Sequence, residues 1–116
     1  MNKKEEDEQI LLFVDNKVRR AIYKKELYFS IVDVVKILMK NKKRQSAKKY
    51  WEKLVRRLKK EESELVINCH QLKFIRFDGK VIEMDCVNAE TLFRIIELIP
   101  SWKTELCRRW LAKISS

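Results

Sequence analysis

The sequence predicts an α+β fold, in which a small antiparallel sheet and an N-terminal β-hairpin pack with about four helices in a single domain. Three observations support this prediction. The 116 residues match the length of one domain, and 46% of them are hydrophobic, which is enough to build a core. Runs of β-prone residues separated by turn residues occur in two parts of the chain. Four segments begin with an N-cap residue and continue with apolar residues at helical spacing.

The N-terminal hairpin is predicted from two β-prone runs, Ile10–Val14 and Val18–Tyr23, which flank the polar turn Asp15-Asn16-Lys17. A further turn at Lys24-Lys25 precedes a short third strand at residues 27–29. The start of the chain is polar and mixed in charge. Residues 1–9 are therefore expected to form a flexible tail ahead of a domain that spans residues 10–116.

Two helices are predicted in the middle of the chain. Ser30 is the expected N-cap of the first helix, with Asp33 as its capping-box partner, and the apolar residues that follow on nearly all sides predict that this helix is buried. Ser46 is the expected N-cap of the second helix, Ala47–Lys60, after a basic connector at residues 41–45. The apolar residues of the second helix share one face: Ala47, Tyr50, Trp51, Leu54, Val55 and Leu58.

Three strands are predicted next: Leu65–Cys69, Leu72–Phe77 and Lys80–Cys86. The last two are joined by Asp78-Gly79, a pair that favours a two-residue type I′ turn because both positions need a positive φ. Such a turn pairs Ile75 with Ile82 and Phe77 with Lys80. The sheet face expected to pack on the helices then carries Ile75, Phe77, Ile82, Met84 and Cys86.

Two more helices complete the predicted fold. Asn88 is the expected N-cap of the first, Pro100 ends it, and Ser101 is the expected N-cap of the last. Trp102 and Trp110 fall on one side of the last helix at helical spacing, so both are expected in the core.

The positive charge is concentrated in one segment. The chain has a formal net charge of +10, from 27 Lys and Arg against 17 Asp and Glu. Residues 36–60 contain twelve basic residues and one acidic residue, a net charge of +11, so the rest of the chain is almost neutral. Opposite the apolar face of the helix Ala47–Lys60 lie four basic residues: Lys49, Lys53, Arg56 and Lys60. A basic stripe of this kind is typical of a surface that binds a polyanion such as nucleic acid.

The side chains expected to contact DNA lie on this helix and on the connector before it: Lys40, Lys42, Lys43, Arg44, Lys48, Lys49, Lys53, Arg56, Arg57 and Lys60. The alternative is a solvated face that keeps the protein soluble, but such faces usually mix both signs of charge. Most of these residues are Lys, which interacts with phosphates as a point charge. The composition therefore favours contacts with the DNA backbone over recognition of base edges.

A second DNA contact is predicted at the N-terminal hairpin through Arg19, Arg20, Lys24 and Lys25. Exposed edge lysines that prevent strand pairing explain these residues about as well. Both explanations stay open from the sequence alone.

Other functional classes find little support. Cys69, Cys86 and Cys107 are odd in number and lack paired spacing, so they are expected to be free thiols, and with His70 they make a weak zinc candidate. A single glycine leaves no Gly-rich phosphate loop, and Cys69 and His70 would point to opposite faces of a strand. We therefore predict no catalytic residue, metal or cofactor. Apolar runs are far shorter than the roughly 18–20 residues of a membrane span, and no secretory leader is visible, so we expect a cytoplasmic protein.

Several blocks of residues resemble a known family. Tyr50-Trp51, Leu54 and Arg57-Leu58 are similar to the Y-W-x-x-L-x-x-R-L stretch of the BRO N-terminal domain. Further similar blocks are Val18–Arg20, Tyr28–Val34, Asn68–Lys73, Asp78–Lys80, Asp85-Cys86, Phe93–Ile96, Ile99–Ser101, Lys103 and Trp110–Lys113. The resemblance covers about residues 18–114, nearly the whole chain.

The resemblance implies a small α+β domain that binds DNA and is usually joined to a variable C-terminal domain, which we do not expect in this chain. The family includes phage antirepressors, baculovirus BRO proteins and DNA-damage-inducible D-type bacterial proteins. The expected function is therefore duplex-DNA binding by a phage antirepressor-like transcriptional regulator of phage or prophage origin, associated with the nucleoid. The alternative is a protein–protein module that docks an acidic partner such as a repressor, with an exposed Trp102 or Trp110 as its anchor. A homodimer would add specificity, but no feature of the sequence encodes one.

Overall fold

The computed structural model describes residues 14–39 and 44–115. The expected tail at residues 1–9, residues 10–13 of the first predicted strand and the connector residues Lys40, Lys42 and Lys43 lie outside the described residues.

The described residues form a four-stranded antiparallel sheet and six helical segments, which confirms the predicted α+β class. In chain order these elements are α1 (residues 14–17), β1 (Arg20–Tyr23), β2 (Glu26–Ser30), α2 (Ile31–Leu38), α3 (Arg44–Lys60), α4 (Glu64–Ile67), β3 (His70–Ile75), β4 (Val81–Asn88), α5 (Ala89–Glu97) and α6 (Thr104–Ser115). The strand order is β1-β2-β4-β3. The four predicted helices are α2, α3, α5 and α6, whereas the helical residues 14–17 and the single turn α4 were not predicted.

An N-terminal hairpin is present, but it joins the second and third predicted strands through the turn predicted at Lys24-Lys25, and not the first and second strands. Residues 14–17 are helical, so the turn predicted at Asp15-Asn16-Lys17 is wrong, and the hairpin is instead β1–β2 with its turn at Lys24-Lys25. Asp15 Oδ1 accepts hydrogen bonds from Trp110 Nε1 at 3.1 Å and from Arg20 Nη1 at 2.8 Å. These two bonds hold the pKa of Asp15 below its ordinary value. Residues 14–17 are therefore held against the last helix.

Helix α2 begins as predicted. Ser30 Oγ accepts the amide of Asp33 at 3.4 Å, and all residues of the helix except Lys36 are buried. In a capping box the side chain of Asp33 would also accept the Ser30 amide. Here the Ser30 amide donates to the carbonyl of Arg19 instead, at 2.9 Å. The Asp33 carboxylate binds the side chain and the amide of Arg19 instead.

Helix α3 is longer than predicted, because it includes Arg44 and Ser46 is therefore not its N-cap. Its C-terminus is closed by a Schellman motif, in which the Ser63 amide donates to the Leu58 carbonyl at 2.9 Å and the Glu62 amide to the Lys59 carbonyl at 3.1 Å. Glu62 has a φ of +53°, in the left-handed region that this motif requires and that glycine occupies without strain.

Replacing Glu62 with glycine should therefore stabilise the protein. The change relieves the left-handed strain and removes a negative charge from the negative end of the α3 dipole, so we expect the free energy of unfolding to rise by about 0.5–1 kcal/mol. Urea denaturation measures this, with Glu61→Gly as a control that lacks the strained backbone. An unchanged or lower midpoint for Glu62→Gly would show that its backbone conformation is not limiting.

The β3–β4 hairpin has a different loop from the one predicted. The Arg76 amide donates to the Lys80 carbonyl at 2.8 Å and the Gly79 amide to the Arg76 carbonyl at 2.9 Å, so the loop contains three residues, 77–79, with Gly79 at a φ of +85°. Ile75 therefore faces Val81, one residue away from the predicted register. A one-residue slip turns every side chain of a strand to the other face. Ile82, Met84 and Cys86 thus lie on the sheet face opposite to that of Ile75, and Phe77 falls in the loop. Ile75 and Phe77 are both exposed, which corrects their predicted place in the core.

The strand predicted at Leu65–Cys69 is also wrong, because residues 64–67 form the single turn α4. Ser63 Oγ accepts the Leu65 amide at 3.2 Å and caps this turn.

The main core lies between the helices and one face of the sheet. Phe29 of β2 and Val87 of β4 are fully buried there, and the Phe29 ring meets the Trp110 ring edge to face, with centroids 5.6 Å apart. A second cluster occupies the other face of the sheet, where Tyr28, Met84 and Cys86 are buried. Met84 and Cys86 thus lie in the second cluster and not, as predicted, against the main core. Among the helices of the described residues, none combines the length and apolar character needed to cross a membrane.

Asn88 is the N-cap of α5 as predicted, whereas Ser101 caps only the turn before α6 and is not its N-cap. Asn88 Oδ1 accepts the Thr91 amide at 3.0 Å, and Ser101 Oγ accepts the Lys103 amide at 3.1 Å. Regular helix begins only at Thr104, so Trp102 precedes it. Trp110 is buried as predicted, but Trp102 is 64% exposed, and its predicted place in the core is wrong.

Candidate nucleic-acid interface

Helix α3 is held on the domain by the apolar face that the sequence predicted. Ala47, Trp51, Leu54 and Leu58 are all buried. The Trp51 indole also donates from Nε1 to Asp85 Oδ2 of β4 at 2.8 Å, which fixes the helix over the sheet. Because one side of α3 is fixed in this way, its opposite side faces outward.

The outward side of α3 carries exposed cations. We call Lys49, Lys53, Arg56 and Lys60 the outer face of α3. All four are exposed, and Lys48, Arg57 and Lys59 beside them are exposed as well. At 1.5 Å per residue the outer face extends for about 16 Å, close to five nucleotide steps of one DNA strand.

Little negative charge opposes this surface. Among the described residues, the one carboxylate within 4.0 Å of the exposed cations of α3 is Glu61, which lies 3.9 Å from Arg57. Both side chains of that pair are more than half exposed, so the pair contributes little energy. Glu61, Glu62 and Glu64 follow the helix and mark a sharp end to the positive surface.

Of the predicted connector, only the end next to α3 belongs to the described residues. Arg44 begins the helix, and Lys40, Lys42 and Lys43 lie outside the described residues. Their predicted role in DNA contact stays a prediction.

The four residues predicted as a second DNA contact have two different roles in the structure. Arg19 binds Asp33 through Nε and Nη2, each at 2.8 Å, and this hydrogen bonding raises the pKa of its guanidinium. Arg20 binds Asp15, and its guanidinium carbon lies 5.5 Å from the centre of the Trp110 ring. Both arginines therefore hold secondary-structure elements together. Lys24 and Lys25 are exposed at the β1–β2 turn.

The thiols and the histidine lie within the fold. Burial raises the pKa of Cys69 and of Cys86 to about 12 and that of Cys107 to about 11. These thiols are protonated at neutral pH, which makes them poor nucleophiles. The His70 ring packs against Tyr23 and Tyr28, with centroids 5.2 and 5.6 Å away. In the described part of the chain, no three His, Cys, Asp or Glu side chains gather in a way that could hold a metal ion.

Two aromatic side chains that the sequence placed in the core are exposed. Trp102 lines a pocket together with Leu38, Met39, Tyr50, Ile99, Pro100 and Ser101. Phe77 is fully exposed at the tip of the β3–β4 hairpin. The sequence feature that could have predicted the exposure of Phe77 is its position next to Asp78-Gly79, because a three-residue loop at this pair includes Phe77 and removes it from the strand.

Fold and site together define a class of protein: a small α+β domain that exposes a strongly basic face on one fixed helix. The family model described as BRO family, N-terminal domain, matches residues 17–115. The chain therefore belongs to the BRO family as an N-terminal domain. No curated protein and no solved structure matches the chain significantly.

Proposed function

We propose that this chain is the DNA-binding domain of a phage antirepressor-like transcriptional regulator, and that it grips duplex DNA with the outer face of α3 and the basic connector before it. The observation that carries this proposal is the set of exposed cations on a helix whose other face is fixed in the core. Membership of the BRO family supports the same function. In this proposal the protein acts in the cytoplasm at the nucleoid and is not an enzyme.

The types of the basic residues indicate how the domain contacts DNA. Lys48, Lys49, Lys53 and Lys60 supply point charges for phosphate oxygens, while Arg56 and Arg57 have the planar fork that suits bidentate contacts. With lysine in the majority, most of the affinity comes from the DNA backbone and depends little on sequence. Lys24 and Lys25 are a secondary contact in this proposal, whereas Arg19 and Arg20 support the fold.

The salt dependence of duplex binding tests the proposal. With about 4–6 phosphate contacts, log K should fall with a slope near −4 to −5 against log[salt], so affinity drops roughly 250- to 1,000-fold between 50 and 200 mM salt. Fluorescence anisotropy of a labelled duplex measures this, with several unrelated sequences compared at each salt concentration. If the protein binds no duplex at low salt, the proposed function is wrong.

A protein–protein module is the second candidate function, and the exposure of Trp102 favours it. An indole that is 64% exposed beside a largely apolar pocket resembles the aromatic anchors of protein interfaces. An acidic partner such as a repressor would be attracted by the net positive charge. This candidate predicts that a variant unable to bind DNA still binds a repressor, and that Trp102→Ala abolishes that binding.

A further inference from the structure

The tip of the β3–β4 hairpin is a surface that the proposed function does not use. We call residues 75–81 the hairpin tip, and every one of them is exposed. Its apolar side chains are Phe77, which is fully exposed, Ile75 at 79% and Val81 at 60%. Ile75 and Val81 are register partners on adjacent strands, so their side chains lie side by side on one face. The loop is nonetheless well defined, because Asp78 Oδ1 accepts the Lys80 amide at 3.0 Å.

The hairpin tip and α3 lie on the same face of the sheet. The Trp51–Asp85 hydrogen bond places α3 over Asp85 of β4. Side chains alternate along a strand, so Val81 shares the face of Asp85, about 13 Å further along at 3.3 Å per residue. The hairpin tip therefore extends along the strands from the point where α3 is fixed, on the sheet face that α3 covers.

Charge surrounds the apolar tip. Residues 73–83 carry Lys73, Arg76 and Lys80 against Asp78 and Glu83. Arg76 Nη2 lies 3.2 Å from Asp78 Oδ2, so part of the positive charge is neutralised in the free protein. Arg76 and Lys80 are the paired residues at the two ends of the loop that carries Phe77.

The shape of the hairpin tip suits DNA better than a protein partner. Stable protein interfaces bury about 800 Å² on each side, whereas the apolar part of this tip consists of three side chains at the end of a two-stranded ribbon. Ribbons of this width fit a DNA groove, and single apolar side chains at such tips act as wedges that unstack neighbouring base pairs.

We propose that the β3–β4 hairpin is a second DNA-binding element, whose Phe77 ring inserts between neighbouring base pairs of a duplex held by α3. Arg76 and Lys80 contact the phosphates on either side of the insertion. This proposal rests on the proposed function, because it needs a duplex bound at α3. It adds a local distortion of the DNA that charge on α3 alone does not produce.

A duplex that contains 2-aminopurine tests the insertion, because the fluorescence of this base rises when it unstacks. The wild-type chain should raise the fluorescence, and Phe77→Ala should abolish the rise and weaken binding about 5- to 50-fold, given the energy of an aromatic–base contact. Phe77→Leu should keep most of the rise, since leucine also serves as a wedge. Ile22→Ala is the matched control, because Ile22 is a similarly exposed apolar residue, at 70%, on β1.

A second variant tests the flanking charges. Asp78→Asn keeps the oxygen that accepts the Lys80 amide but releases Arg76 from its ion pair, so duplex affinity should rise about threefold to tenfold at low salt. Unchanged affinity in this variant would contradict the phosphate contact of Arg76.

The outcomes separate the two proposals. If Phe77→Ala binds and unstacks the duplex as the wild type does, the insertion is wrong while the proposed function stands. If the wild-type chain binds no duplex, both are wrong. If Phe77→Ala loses a protein partner but no DNA affinity, the hairpin tip is a protein-docking surface and the insertion is again wrong.

Discussion

The double charge reversal Lys49→Glu with Arg56→Glu is expected to lower the affinity for duplex DNA more than about 100-fold at roughly 0.1 M salt. Each neutralised phosphate contributes about eightfold to affinity at this salt concentration, so the loss of two contacts gives about 60-fold. The two new carboxylates then repel the phosphates and lower the affinity further. The slope of log K against log[salt] should fall in magnitude by about two. Anisotropy titrations over a series of salt concentrations measure both effects.

The fold should survive this change, because both side chains are exposed and neither has an ion-pair partner among the described residues. Circular dichroism and the thermal midpoint check this. Lys24→Glu with Lys25→Glu is the matched control, since it makes the same change in net charge at the β1–β2 turn. A much smaller loss in the control supports the outer face of α3 as the main contact. If the α3 variant binds normally and the turn variant does not, the proposed interface is on the wrong side of the protein.

Local signals predicted much of the fold. The apolar spacing in α3 identified its buried face, because helical geometry alone determines which residues share a face. Ser30 and Asn88 were identified as N-caps because the side-chain oxygen that binds the helix start belongs to the cap residue itself. The positive outer face of α3 followed from the same periodicity.

One long-range contact and two ambiguous local signals account for the errors. The helical start at residues 14–17 depends on a bond from Asp15 to Trp110, which is 95 residues away in the sequence. The register of the β3–β4 hairpin depended on whether Phe77 belonged to the strand or to the loop, a choice that the Asp78-Gly79 pair leaves open. Trp102 was assigned to the core because its spacing from Trp110 is helical, yet α6 begins only after it.

The candidate site likewise contains features that the sequence predicted and features that it did not. The helical periodicity of the sequence predicted that the α3 cations are exposed. It did not predict the ion-pair partners of Arg19 and Arg20. One signal was present for Arg19, because Asp33 lies within an almost wholly apolar helix and a buried carboxylate requires a partner. A basic residue near the expected sheet was the natural candidate for that partner.

The pair of the buried Asp33 and the partly exposed Arg19 gives the largest expected effect on stability. Asp33 is 7% exposed, and its carboxylate accepts hydrogen bonds from the Arg19 amide at 3.0 Å and from the Arg19 guanidinium at 2.8 Å twice. The pair joins the start of β1 to α2. Asp33→Ala removes the acceptor and leaves the Arg19 amide and guanidinium without it, so we expect the free energy of unfolding to fall by about 3 kcal/mol. That is a large share of the roughly 5–15 kcal/mol typical of a small domain.

Urea denaturation of Asp33→Ala, Arg19→Ala and the double variant measures the effect and the coupling between the two residues. Glu61→Ala is the matched control, because it breaks the exposed pair with Arg57 and should cost less than about 0.5 kcal/mol. The double variant should be less destabilised than the sum of the single variants, since the carboxylate and the guanidinium are then removed together. Additive losses would show that the two side chains act independently, and that Asp33 is tolerated in the core for a reason other than Arg19.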